Sequence, residues 1–272
     1  MIDRVEEKYG CLVVALVTDN DGGSQSGRKK SASGSLDQHV VSQLILGDYF
    51  KNFPLAAETA ELATELLGWI LNHSSVRVIF DNAQLAMNLD DSAKVLAYLV
   101  ANLTCWTTHF ISFDRLLTLE RPLRHAVFTQ RSDIVAAQVG AEKNKKKKNK
   151  LTESATAQCD VIEDSTFWKN LRVVVDDIEP ICLAININQK DCVRPDQVLL
   201  AFAGMFLHFS SHAVTAVKTG MTNSIEKQWK AMDQPLFIFS LILNPYEKLQ
   251  HFGDEAGIST FTLTSALVEL YK

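Results

Sequence analysis

Apolar residues recur at helical spacing from Pro54 almost to the end of this chain, and only one earlier stretch, Cys11 to Thr18, reads as a strand. A lone strand cannot build a stable sheet. The expected fold is therefore mainly α with a small α/β part near the N-terminus. Cys11-Leu12-Val13-Val14-Ala15-Leu16-Val17-Thr18 is an unbroken apolar run between Gly10 and the turn cluster Asp19-Asn20-Asp21-Gly22-Gly23. A run without alternation suits a strand covered on both faces. Asp19 then falls at a strand's C-terminal end, where α/β enzymes place ligand-binding groups. Asp, Asn and Gly are equally what a plain turn needs.

Gly22 to Ser35 is poor in apolar residues and reads as a loop, and Gln38 to Phe50 reads as a helix. His39 opens that helix with no metal partners at useful spacing. Helical patterns follow over Ala56 to Asn72, Ser74 to Met87, Ser92 to Leu103 and Phe110 to Glu120. After an interruption at Pro122 the pattern resumes towards Val139. Thr166 to Ile185, capped by Ser165, carries the stripe Phe167, Leu171, Val174, Val175, Ile178, Cys182, with Pro180 expected to kink it. Pro195 opens another helix, and Thr222 to Met232, Leu236 to Leu243 and Thr260 to Tyr271 complete the series.

Charge is unevenly spread. The 272 residues carry a formal −5, yet Lys143, Lys145, Lys146, Lys147, Lys148 and Lys150 lie within eight positions; subtracting these six leaves −11 on the rest. An acidic chain does not coat DNA with its whole surface. The block has no apolar residue to bury and its charges repel, so a basic disordered loop is expected over about 141–153, with phosphate contact or nuclear targeting as the sharper alternative. The five cysteines include no C-x-x-C pair, which favours reduced thiols and a nuclear or cytoplasmic location. The polar start Met1-Ile2-Asp3-Arg4 is not a signal peptide, and no apolar run is long enough to span a membrane.

Asn102-Leu103-Thr104-Cys105-Trp106-Thr107-Thr108-His109-Phe110 sets a Trp among small polar residues at a helix junction. Such a Trp is either a core anchor or a flat ring placed to stack on an extruded base.

The succession resembles part of a hAT-type transposase, of the kind scattered through fungal genomes. Val17-Thr18-Asp19-Asn20 resembles the strand end bearing that family's second catalytic Asp. Leu44-Ile45-Leu46-Gly47-Asp48 resembles the helix after its Cys-x-x-His element. Leu103-Thr104-Cys105-Trp106-Thr107 resembles the Thr-Arg-Trp motif, and Phe167-Trp168-Lys169, Pro180 and Leu243-Asn244-Pro245 resemble insertion-domain signatures. The resemblance implies an incomplete ribonuclease-H-like remnant over 1–53, followed by an α-helical insertion domain over 54–272. It makes Trp106 the ring that stacks on a flipped base.

Departures from the family pattern bear on chemistry. The first catalytic Asp has no upstream counterpart, the third acid is expected about where the chain stops, and Asp37 and Val40 replace the Cys-x-x-His pair. Two-metal strand cleavage needs several converging carboxylates, and Asp19 alone cannot fix two ions. Mg²⁺ is expected only for an intact family member; no cofactor or metal site is assigned here, and Asp19 is read as an inactive remnant. The expected function is a catalytically incomplete transposase-like protein, not an enzyme. It contacts DNA through Trp106, Arg115, Arg121, Arg124 and Lys145, Lys146, Lys147 and Lys148. The alternative is a helical protein-interaction module without a nucleic-acid role.

Overall fold

The structure, a computed structural model, describes residues 38–87, 94–100, 106–189, 193–232, 234–247, 249–253 and 259–270. Every regular element among the described residues is an α-helix. The strand over Cys11 to Thr18, the loop over Gly22 to Ser35 and Asp19 lie outside the described residues; of the α/β part expected over 1–53, only 38–53 is described. The chain divides into two compact units, Phe53–Glu179 on one side and Met1–Asn52 with Pro180–Lys272 on the other. This corrects the expectation of one helical domain over 54–272. By contacts within the described fold, everything from Pro180 groups with the segment before Phe53. Only contacts between residues far apart in sequence define such a grouping, and periodicity does not report them.

In the unit Phe53–Glu179, α1 (Pro54–Asn72) begins with Pro at its first turn, where a missing N–H costs nothing. It buries Ala63, Leu66, Leu67 and Ile70 on one face. α2 (Ser74–Met87) buries Val76 and Phe80, and the Phe80 ring meets Trp69 of α1 edge-on. The next described residues, 94–100, are not helical, which corrects the helix expected over Ser92 to Leu103. Gln84 supplies the reason. Its side-chain amide accepts from the Leu96 N–H at 2.9 Å and donates to the Leu96 carbonyl at 3.3 Å and the Tyr98 hydroxyl at 2.9 Å. A side chain thus replaces the helical partners of Leu96 and holds Tyr98 buried.

α3 (Trp106–Thr118) is followed by α4 (Glu120–Val139). The break at Leu119 sits where Pro122 forbids continuation, because its ring clashes with the carbonyl four residues back. α4 bends at Gln130, where φ is −134° and ψ 28°. α5 (Lys145–Glu163) returns alongside α4, burying Ala155, Cys159 and Ile162 at helical spacing. Arg131 crosses the pair to Asp160 and Glu163. α6 (Ser165–Asn188) is capped by Asp164 rather than Ser165: the Asp164 carboxylate accepts the Thr166 N–H at 2.8 Å. Trp168 is 1% exposed and donates its ring N–H to the Ile162 carbonyl at 2.7 Å. The helix continues through Pro180, where the units divide.

The second unit contains α7 (Gln38–Asn52), α8 (Pro195–Ser210), α9 (Thr215–Lys230), α10 (Gln234–Ile242) and α11 (Thr260–Leu270). α9 starts at Thr215, about two turns before the expected Thr222. α7 buries Ile45 and Leu46 and packs on α9, where the Ser224 hydroxyl donates to the Asp48 carboxylate at 2.5 Å. Asn188 donates to Ser42 at 3.0 Å. Asn244 has a structural role: it donates to Asp196 at 2.7 Å, while Arg194 holds both oxygens of that carboxylate at 3.0 Å.

Candidate nucleic-acid interface

The lysine block is not a disordered loop over 141–153. Lys145 to Lys150 form the first turn and a half of α5, with Lys143 just before its cap, and this order has a local cause. α4 ends at Val139, and Gly140 takes φ 52°, a conformation open to glycine but strained for other residues. Glu142 accepts the Asn144 backbone N–H at 2.8 Å. The Asn144 side chain then accepts the N–H groups of Lys146 at 3.0 Å and Lys147 at 3.3 Å. That N-cap starts the helix despite the charges above it. Lys143, Lys145, Lys146, Lys147, Lys148 and Lys150 are all exposed at this hairpin tip.

Two features make the tip electrostatically unusual. No acidic residue stands in the first turn of α5, so lysines face the positive end of the helix dipole. Consecutive side chains also fan out by about 100° each around the axis. Lys145 to Lys148 therefore point around the whole circumference and form a knob, not a stripe. The hairpin is tied to α1 close to this tip, where the Trp69 ring N–H donates to Gln138 at 2.6 Å.

The arginines singled out from sequence are dispersed. Arg115, on α3, donates to the Ala97 carbonyl at 3.2 Å, which ties down the non-helical 94–100 segment. Arg121 is exposed on α4. Arg124 pairs with Glu120 at 3.2 Å, and Glu120 also binds Arg172 from α6. Trp106 is the first residue of α3, and its side chain lies outside the described set. The face carrying Arg121 also presents His125 and Phe128, all exposed; that aromatic was legible only as a continuation of the helix.

Other chemistry is sparse. Among the described residues, no three His, Cys, Asp or Glu side chains are grouped to hold a metal ion. Cys159 and Cys182 are both buried, and burial pushes the Cys159 thiol up to about 11. In the second unit a groove of about 400 Å³ runs between α8 and α9, lined by Leu199, Phe202, Phe206, Leu207 and Trp229. No helix among the described residues is long and apolar enough to cross a membrane.

The fold and this site define an all-helical arrangement, over the described residues, with a concentrated cationic tip. No family model, no curated protein and no solved structure matches the chain.

Proposed function

We propose that this chain is a catalytically incomplete hAT transposase-like protein whose helical part contacts nucleic-acid phosphates. The observation that carries the phosphate contact is the lysine knob, exposed and ordered at the end of the α4–α5 hairpin. The motifs around Asp48, Trp106, Trp168 and Asn244 support the family assignment.

Six lysines arranged around a helix end cannot all meet one duplex. A rigid duplex engages about three of them, so the log of affinity should fall with the log of salt at a slope near −3. Fluorescence anisotropy with a labelled duplex over a salt series measures this. Replacing Lys145, Lys146, Lys147 and Lys148 together by Glu should abolish binding. Affinity indifferent to both salt and these lysines would defeat the proposal.

The groove between α8 and α9 favours a second reading, a protein-interaction module, because Phe206 and Leu207 lie exposed along it. That reading predicts no salt-dependent DNA affinity at all.

A further inference from the structure

We propose that Phe128 is a stacking platform for an unpaired base, so that the α4 face selects single-stranded nucleic acid; this rests on the phosphate-contact reading above. Phe128 is 84% exposed, the most exposed phenylalanine on any described helix. Burial would be worth about 1.5–3 kcal/mol to such a side chain, so its position in water is not explained by folding. Its neighbours on the helix are what point to a ligand. Arg121, Arg124, His125 and Phe128 stand at i, i+3, i+4 and i+7, before the bend at Gln130, and therefore share one face.

A protein-docking face would surround an exposed aromatic with further apolar residues. Here the same face is cationic on the N-terminal side of the ring, while Arg131 on the other side is held by Asp160 and Glu163. Arg124 is paired, but Glu120 is shared between Arg124 and Arg172, so that trio keeps one positive charge and Arg121 adds another. Cations on one side of the ring, one and two turns away and about 6 and 10 Å along the axis, suit the successive backbone phosphates that run on from a stacked base. A duplex already stacks its bases on each other and offers such a ring nothing. The lysine knob belongs to the same hairpin, where it would hold the strand without regard to sequence or strandedness.

The test uses anisotropy with the full chain, a labelled oligothymidylate, a duplex of equal length, and inorganic polyphosphate as competitor. Phe128→Ala should weaken oligothymidylate binding by about 5- to 100-fold. It should leave duplex binding and polyphosphate competition unchanged. Phe128→Trp should bind at least as well as the parent, and Phe128→Leu should behave like the Ala variant. Because the side chain is exposed, the thermal melts of all variants should superimpose. Oligothymidylate binding untouched by Phe128→Ala, or fully retained in Phe128→Leu, would overturn the stacking role. If the duplex still bound through the lysines, the phosphate-contact reading would survive that result. A parent chain that binds neither nucleic acid would overturn both.

Discussion

Asn144 decides whether the lysines stand on a helix. Its side chain satisfies two of the N–H groups that no helix can satisfy internally, those of Lys146 and Lys147. Asn144→Ala should cost about 1 kcal/mol of stability, read as a lower urea midpoint with unchanged slope. Asn144→Asp separates structure from function at the same position. It keeps the cap and adds a negative charge at the positive end of the dipole, so stability should hold or rise. The added charge also lies among the lysines, so duplex affinity should fall. If Asn144→Asp destabilised the chain as much as Asn144→Ala does, the side chain would not be acting as a cap. Gln84 has a comparable influence over the segment that follows α2. One amide bonds both backbone groups of Leu96 and thereby overrides a pattern that reads as helical.

At the scale of elements, α5 opens against its own electrostatics. Four consecutive lysines repel one another and oppose the dipole, each by about 0.3–1 kcal/mol at low ionic strength. Replacing Lys145 and Lys146 by Gln, whose helix propensity is similar, should raise the melting temperature at low salt. The gain should vanish at high salt, where both repulsions are screened. Melts of the two proteins at low and high salt check this, and identical melts at low salt would refute it. A local choice that costs stability is most readily understood as serving a ligand that supplies the missing anions.

The same helix shows how much the sequence discloses. The apolar stripes of α1, α2 and α6 are plain because each presents several large residues at helical spacing. In α5 the visible signal is repulsion, while its stabilising signals are a single Asn and three widely spaced buried side chains, Ala155, Cys159 and Ile162. The position of the knob was therefore legible as charge but not as structure. The exposure of Phe128 was not legible either, since periodicity marks it only as part of a helix and says nothing about which neighbour fails to cover it.

For the whole molecule, the division at Pro180 makes the proposed interface separable. Each interaction that shapes the tip is internal to Phe53–Glu179: the Asn144 cap, the Glu142 contact, the Arg131 bridge to Asp160 and Glu163, and the Trp69–Gln138 anchor. Phe128, Arg121 and the Glu120 trio are internal to it as well. The unit buries Leu66, Ile70, Phe80, Phe113, Leu116 and Trp168, a set large enough to give it a core of its own. A protein ending at Glu179 and beginning at Phe53 should therefore melt cooperatively by circular dichroism. It should also bind labelled duplex with the full chain's affinity and salt slope. The complementary loss falls on α6, whose residues Ile181, Cys182 and Ile185 are buried beyond the division and are absent from the excised unit. Pro180 already lacks the N–H that would bond back across that point, so severing the helix there removes less hydrogen bonding than severing it elsewhere. A broad, non-cooperative melt, or a cooperative unit whose duplex affinity has disappeared, would show that the interface depends on residues outside Phe53–Glu179.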